Sequence, residues 1–139
     1  MRVVSSHYPL VKLDDLATIR LLIEETMIDF GADEDVVGEL VLAVNEAVTN
    51  IIVHGYKERP GSVRIELERR DEDIVIRLTD QAPPFDPTKM PAVDISIPLD
   101  QREYGGMGVH MMREFTDELH YRATPTGENE LTFVKRMTS

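Results

Sequence analysis

Residues 39–56, ELVLAVNEAVTNIIVHGY, decide the fold of this chain because their apolar side chains recur with the period of an amphipathic helix. At about 100° per residue, Glu39, Glu46 and Asn50 gather on one side of the helix. The opposite side carries the apolar residues Val37, Val41, Val44, Val48, Ile51 and Ile52. Glu46 and Asn50 lie one turn apart and face the same space. A carboxylate can accept a proton or orient a hydroxyl group, and an amide oxygen can bind a hard cation such as Mg²⁺. The helix therefore carries candidate catalytic groups, although two ordinary solvated residues would give the same spacing.

The composition predicts one acidic, soluble domain over residues 1–139. The chain contains no cysteine, which excludes disulfides, zinc–thiolate sites and thiol catalysis. It shows no signal peptide at its start and no apolar run that approaches the length of a membrane span, so we expect a cytoplasmic protein without membrane contact. The formal net charge of −11 should repel nucleic acid and attract a basic protein partner.

The hydrophobic pattern predicts an α+β fold in which helices cover one face of a mixed, mainly antiparallel sheet. The first helix should end at Gly31 in the left-handed conformation of a C-terminal cap, and Asp33 should cap the next helix. The predicted elements are an edge strand at 2–8, a helix at 13–30, strands at 62–69 and 73–80 joined by a turn at 70–72, and strands at 118–122 and 130–135 around a turn at 124–127.

Residues 81–104 contain five prolines and no clear periodicity, which is long for a structureless connection in so small a domain. We therefore expect a lid or binding loop there. The sequence Gly105-Gly106-Met107-Gly108 follows and opens another helix that runs to about residue 115. Free backbone N–H groups at such a helix start can hold phosphate, although glycine turns before helices are common. The segment is neither a Walker loop nor a dinucleotide fingerprint.

Asp80 stands at the end of the strand predicted for residues 73–80. A carboxylate in that position can accept a hydrogen bond from an exocyclic amine such as that of adenine. Taken alone, Asp80 would be an ordinary strand-end residue. Together with the Glu46 and Asn50 pair and the glycine segment, it indicates nucleotide chemistry.

In this order and spacing, the three elements resemble the nucleotide site of the GHKL, or histidine-kinase-like, ATPase superfamily, which is built from an N box, a G1 box and a G2 box. The resemblance covers nearly the whole chain and implies a Bergerat-type ATP-binding fold, a two-layer α/β sandwich. Glu46-Ala47-Val48-Thr49-Asn50, with the trailing His54-Gly55-Tyr56, is similar to the small anti-sigma factor serine/threonine kinases of bacterial partner-switching systems.

The resemblance also implies a role for each candidate residue. Glu46 would be the general base, Asn50 the Mg²⁺ ligand and Asp80 the adenine reader. The segment Gly105-Gly106-Met107-Gly108 would hold the phosphates of ATP. Thr132 would support Asp80 and the adenine.

Two positions depart from the family pattern. The G1 box usually has glycine two residues after its aspartate, whereas this chain has Ala82. If that glycine provides close approach to adenine or a positive φ, the methyl group of Ala82 should lower ATP affinity. The family also often has a basic residue just before the G2 glycines. Tyr104 and Gly105 stand there instead, and Arg102, slightly upstream, is the candidate substitute.

The implied function is that of an anti-sigma factor and protein kinase, which uses ATP and Mg²⁺ to phosphorylate a serine or threonine of an anti-sigma factor antagonist of STAS type. The sequestered partner would be a sigma factor, whose basic surface suits an acidic binder. The short N-terminal strand could also pair across a homodimer. Two alternatives stay open: a non-catalytic module in which nucleotide gates partner binding, and an unrelated α+β binding protein that matches the three boxes by coincidence.

Overall fold

Two long helices cover one face of a five-stranded sheet in the computed structural model, which describes residues 2–86, 88 and 112–138. The elements are β1 (Arg2–Tyr8), α1 (Leu16–Phe30), α2 (Glu34–Asn50), β2 (Val63–Arg70), β3 (Asp73–Asp80), β4 (Glu118–Ala123) and β5 (Asn129–Arg136). The strands lie in the order β1-β2-β3-β5-β4, and every described pairing is antiparallel. The predicted two-layer α+β fold with a mainly antiparallel sheet and an edge strand at residues 2–8 is confirmed.

The connection between α1 and α2 follows the predicted capping. α1 is preceded by a 3-10 turn at Leu13–Asp15 and ends at Gly31, whose φ of 93° is the left-handed cap conformation. Asp33 then occupies the N-cap position of α2 with an extended backbone. Arg69 in β2 donates a hydrogen bond of 2.8 Å to the carbonyl oxygen of Phe30, which fastens the end of α1 to the sheet.

The hydrophobic core lies between the two helices and the inner face of the sheet. Alternation along each strand turns every second side chain toward the helices. In β2 and β3 these inward side chains are completely buried, and they are Val63, Ile65, Leu67, Ile74, Ile76 and Leu78. The core thus fixes the position of α2 over the sheet.

The helical stretch Glu34–Gly55 is 22 residues long and, by length and composition alone, could cross a membrane. The expectation that no apolar run approaches that length is therefore wrong for this segment. The polar groups of the stretch are confined to one side, which leaves an uninterrupted apolar side. Leu40, Val44 and Val48 on that side are completely buried in the core, as in the core helix of a globular domain.

The predicted strands are confirmed, with small shifts at their ends. β2 continues to Arg70, because Arg70 pairs with Asp73 across a turn that is tighter than expected. β5 extends beyond the predicted 130–135 at both ends, and its first residue, Asn129, pairs with Asp80. That pairing brings the start of β5 next to the end of β3.

The predicted helix over residues 39–56 is confirmed, but its last turn is not α-helical. Ile51–Gly55 form a π-helical turn, and the N–H of Tyr56 donates to the carbonyl oxygen of Ile51 at 2.8 Å. Such turns are rare and often occur at functional sites. The structure describes residues 81–86 and 88 of the predicted lid, whereas the glycine segment lies outside the described residues, which continue with helical residues at 112–114.

Candidate functional site

A cavity lies between the C-terminal part of α2 and the adjoining ends of β3 and β5. It contains about 450 Å³ of empty space when the solvent in its open mouth is included. Three polar residues from different elements line it: Asn50, Asp80 and Asn129. The rest of the described wall is mainly apolar and includes Ile51, Phe85, Met112 and Leu131. Apolar walls with a few convergent polar groups suit a flat heterocyclic ring.

Asp80 is the buried carboxylate of this cavity, with only 6% of its surface exposed. Its Oδ1 accepts hydrogen bonds from the N–H of Ala82 at 2.9 Å and from Nδ2 of Asn129 at 3.0 Å. Burial raises the pKa of the carboxyl group above its ordinary value of 3.8, and the two hydrogen bonds counteract part of that increase. Among the described residues no group donates to Oδ2, so this oxygen can accept a hydrogen bond from a ligand.

Asn129 is a buried hub that holds the chain after β3 in place. Its Nδ2 donates to Asp80 and also to the carbonyl oxygen of Ala82, at 2.9 Å. Its Oδ1 accepts hydrogen bonds from the N–H of Phe85 at 3.3 Å and from the hydroxyl of Tyr121. Acceptors surround the Nδ2 end of the amide and donors surround the Oδ1 end, so only one orientation of the Asn129 amide makes these four hydrogen bonds. The side chain therefore fixes residues 80–85 relative to β4 and β5.

Asn129 and Tyr121 were absent from the residues predicted from the sequence. The strand predicted at 130–135 starts one residue too late to include Asn129, and an asparagine after a turn resembles ordinary turn chemistry. A signal was nevertheless present in the strand pattern. Once β3 and β5 are paired antiparallel in register, Asn129 must lie opposite Asp80.

Ala82 lines the cavity, and its backbone does not require glycine. It is 5% exposed, and it is absent from the described non-glycine residues with positive φ, which are Lys57, Glu58 and Asp71. A Cβ added at Gly55 would lie only 2.9 Å from the Cβ of Ala82. The methyl group of Ala82 is thus accommodated because the π-helical turn carries no side chain at Gly55.

Of the two polar residues that the sequence singled out on α2, the structure brings Asn50 to the cavity. Glu46 lies one turn earlier, is half-buried and does not belong to the described lining. Within the described ranges, the side chains of Glu46 and Asn50 make no hydrogen bond to the protein. No group of three or more His, Asp or Glu residues in those ranges could hold a metal ion. Asn50 would therefore bind Mg²⁺ only together with ligands from elsewhere, such as phosphate oxygens.

The structure places Thr132 away from the site, which corrects the prediction that it supports Asp80. Its neighbours in β5, Leu131 and Phe133, belong to the core on the helix-covered face. Because side chains alternate along a strand, Thr132 points to the opposite face, where it is paired with Arg77 of β3. Asn129 occupies the supporting position that was assigned to Thr132.

The remaining predicted residues lie outside the described part of the chain. These are Arg102 and the phosphate segment, namely Gly105, Gly106, Met107 and Gly108.

Comparison with known proteins is consistent with this geometry. Residues 11–135 match the family model of the histidine kinase-like ATPase domain. An anti-sigma F factor from Clostridium novyi (strain NT) is 34% identical over 98 residues, which cover 70% of this chain and 68% of that protein. The serine-protein kinase RsbW from Bacillus cereus (strain Q1) is 28% identical over 112 residues, covering 78% and 70% of the two chains. The serine/threonine-protein kinase BtrW from Bordetella bronchiseptica is 29% identical over 96 residues, covering 68% and 67%.

Solved structures show the same fold at lower sequence identity. The crystal structure of the RsbU and RsbW domains of a Mycobacterium tuberculosis protein superposes with a TM-score of 0.65 and 18% identity. The superposition covers 96% of this chain and 32% of that one, so the present chain spans about a third of its length. The Acinetobacter baumannii histidine kinase AdeS superposes with a TM-score of 0.52 and 14% identity, covering 99% of this chain and 69% of the kinase.

Proposed function

The chain belongs to the family of histidine kinase-like ATPase domains, and from this premise we propose that it is an ATP-binding anti-sigma factor and serine/threonine-protein kinase of a bacterial partner-switching system. In this role it phosphorylates an anti-sigma factor antagonist of STAS type and sequesters a sigma factor in the cytoplasm, so that transcription is regulated. The names of its relatives, anti-sigma F factor and serine-protein kinase, support the assignment. The observation that carries the proposal is the fixed Asp80 carboxylate in a mostly apolar cavity.

The base of ATP would occupy the cavity beside Asp80. The apolar walls suit the faces of a purine, and Oδ2 of Asp80 is free of donors from the described residues. That oxygen accepts a hydrogen bond from the exocyclic amine of adenine, whereas guanine presents a carbonyl oxygen at the same position and would be repelled. Asp80 is thereby responsible for base selectivity.

The phosphates would lie beyond the base, toward Glu46 and Asn50. The amide oxygen of Asn50 would hold Mg²⁺, which neutralises phosphate charge when it is bound. Gly105-Gly106-Met107-Gly108 and Arg102 would complete the phosphate site. In the transfer step, the oxygen of the substrate hydroxyl bonds to the γ-phosphorus and the bond from that phosphorus to the β,γ-bridging oxygen breaks, so that ADP leaves. Glu46 accepts the hydroxyl proton.

The charge and the sheet edge support the proposed partners. A net charge of −11 favours fast association with a basic sigma factor and opposes direct binding to nucleic acid. β1 is an edge strand of the sheet, so its outer backbone groups can pair with a second copy of the chain in a homodimer. The membrane plays no part in this proposal, because the apolar side of α2 is used in the core.

One observation favours a second candidate function. Glu46 is not part of the described cavity lining, so nucleotide could bind without an aligned general base. The protein would then be a non-catalytic module in which nucleotide gates the binding of a protein partner.

Incubation with γ-labelled ATP, Mg²⁺ and the antagonist protein encoded nearest this gene separates the two candidates. Label transferred to a serine or threonine of the antagonist supports the kinase. Calorimetric binding of Mg-ATP without any transfer supports the non-catalytic module. The absence of ATP binding at millimolar concentration would contradict both candidates.

A further inference from the structure

The hydroxyl group of Tyr56 connects three parts of the molecule that meet behind the cavity. It donates a hydrogen bond of 2.6 Å to the carbonyl oxygen of Ser62, just before β2. It also accepts a hydrogen bond of 2.8 Å from the N–H of Gln81, just after β3. Tyr56 itself follows the π-helical turn at the end of α2. One phenol oxygen therefore links the helix to the two strand ends.

The Tyr56 ring packs against Gly61, where the chain has no side chain. A Cβ added at Gly61 would lie 2.3 Å from ring carbons of Tyr56, so the ring occupies the space that any side chain at position 61 would need. The N–H of Tyr56 is bonded to Ile51 across the π-helical turn, which fixes the backbone from which the ring projects. Ring and backbone are thus both held, and the hydroxyl has a defined position.

The protonation state of Tyr56 suits this double role. Burial raises the pKa of its phenol above the ordinary value of 10.0, and the hydrogen bond from Gln81 lowers it in part. The nearby charge of Asp80 raises the pKa further. The phenol therefore keeps its proton at neutral pH and can donate to Ser62 while it accepts from Gln81.

Gln81 is the link between Tyr56 and the cavity. It stands between Asp80 and Ala82, whose N–H donates to Oδ1 of Asp80. The peptide that carries Asp80 is consequently held on one side by Tyr56 and on the other by Asn129. Asn129 restrains the carboxylate directly, and Tyr56 restrains the backbone from which the carboxylate projects.

We propose that Tyr56 is a positioning residue for base recognition: its hydroxyl holds the Gln81 amide and thereby sets the orientation of Asp80 toward adenine. This inference rests on the proposed binding of ATP. Asn50 precedes Tyr56 by about one and a half helical turns. If Tyr56 positions Asp80, the helical segment from Asn50 to Tyr56 rigidly connects the metal-binding part of the site to the base-binding part.

The test is Tyr56→Phe, which removes only the hydroxyl and keeps the ring against Gly61. The matched control is Tyr8→Phe. Tyr8 is a partly buried tyrosine of β1 whose hydroxyl makes no hydrogen bond within the described residues and does not line the cavity. Two readouts are needed: amide hydrogen exchange at Gln81 without nucleotide, and the ratio of the Kd values for ATP and for purine riboside triphosphate, which lacks the exocyclic amine.

We expect Tyr56→Phe to accelerate exchange at Gln81 and to reduce the preference for ATP over the amine-free analogue by about 3- to 10-fold, with little change for Tyr8→Phe. Exchange at Gln81 that equals wild type overturns the inference. A Kd ratio that equals wild type also overturns it, because a purely structural hydroxyl would lower stability and leave base discrimination intact. If the wild-type protein binds no ATP, the proposed function fails instead, and the exchange result alone decides whether Tyr56 positions the backbone that follows Asp80.

Discussion

The site has two ends: the base end, formed by Asp80, Asn129 and Tyr56, and the helix end, formed by Glu46 and Asn50 of α2. The two ends differ in how many of their polar groups hydrogen-bond to the protein itself. At the base end, Asn129 donates to Oδ1 of Asp80 and to the carbonyl oxygen of Ala82, and the Tyr56 hydroxyl accepts from the N–H of Gln81. At the helix end, the side chains of Glu46 and Asn50 make no such bond within the described residues. The base end is therefore preorganised by folding, whereas the helix end acquires its geometry only when ligands arrive.

This difference predicts separate consequences of mutation. Changes at the base end should affect folding stability and base selectivity together, since the same hydrogen bonds serve both. Changes at the helix end should affect phosphoryl transfer with little effect on stability.

The largest expected effect is that of Glu46→Gln. The substitution is nearly isosteric and removes only the proton acceptor, so phosphoryl transfer should fall by about 10²- to 10⁴-fold. Chemical denaturation should give a free energy of unfolding within about 0.5 kcal/mol of wild type, because the Glu46 side chain makes no hydrogen bond to any described residue. Glu25→Gln, an exposed change on α1, is the control and should leave both quantities unchanged. Equal transfer rates in the two variants would identify Glu46 as an ordinary solvated residue.

Asn129→Ala should have the largest effect on stability. It leaves buried partners around Asp80 without their hydrogen bonds, which should lower the free energy of unfolding by about 2–4 kcal/mol. Asn45→Ala on α2 is the matched control, because Asn45 is half-buried and its side chain makes no hydrogen bond within the described ranges. Urea denaturation measures both. If Asn129→Ala lowers the free energy of unfolding no more than Asn45→Ala does, the hydrogen bonds of Asn129 do not stabilise the fold.

Asp80→Asn should reduce base selectivity. The amide can donate as well as accept, so it no longer distinguishes the amine of adenine from the carbonyl of guanine. We expect the preference for ATP over GTP, measured by calorimetry, to fall by about 10-fold or more. Equal affinities of the wild-type protein for ATP and GTP would remove the proposed role of Asp80.

The same variant tests the raised pKa of Asp80. Folding raises that pKa above its unfolded value of 3.8, so between the two values the native state binds more protons than the unfolded state. The contribution of Asp80 to stability is complete below the unfolded pKa and is lost as pH rises through the folded pKa. Relative to wild type, Asp80→Asn should therefore gain stability as pH increases from below 3.8 toward neutrality. A stability difference that is independent of pH would show that folding leaves this pKa unchanged.

Most of the fold could be predicted from the sequence because periodicity and capping are local. The apolar stripe of α2, the glycine cap at Gly31 and the alternation of β3 each follow from neighbouring residues. The place of Asp80 at the end of β3 was predicted for the same reason, since a strand end is a local feature.

The supporting residues could not be predicted because they depend on pairing between distant segments. Asn129 reaches Asp80 only because of the register between β3 and β5, and Tyr56 has its position only because the turn before it is π-helical. Thr132 was assigned to the site from the family resemblance, but alternation along β5 turns it to the other face. A shift of one residue along a strand reverses the face, which is why such assignments fail without a register.

The smallest expected effect is that of a change at Ala82, which lies beside Gly55 of the π-helical turn. Ala82→Gly removes a buried methyl group and frees the backbone, so it should cost about 1–2 kcal/mol of stability. If that methyl group crowds the adenine, ATP should bind about 3-fold more tightly in the variant, a change of about 0.6 kcal/mol measurable by calorimetry. Ala123→Gly at the exposed end of β4 controls for backbone freedom and should leave affinity unchanged.

The contact between Ala82 and Gly55 sharpens this last test. Gly55→Ala alone should be destabilising, because its new Cβ would lie 2.9 Å from that of Ala82. Combining it with Ala82→Gly removes the conflict, so the double variant should be more stable than the sum of the two single changes by about 1 kcal/mol. Additive stabilities would show that the two backbones move apart at little cost. If the stability effects of the two changes are not additive and the ATP affinity of Ala82→Gly equals that of wild type, the methyl group of Ala82 fills the space beside Gly55 and does not narrow the cavity for the base.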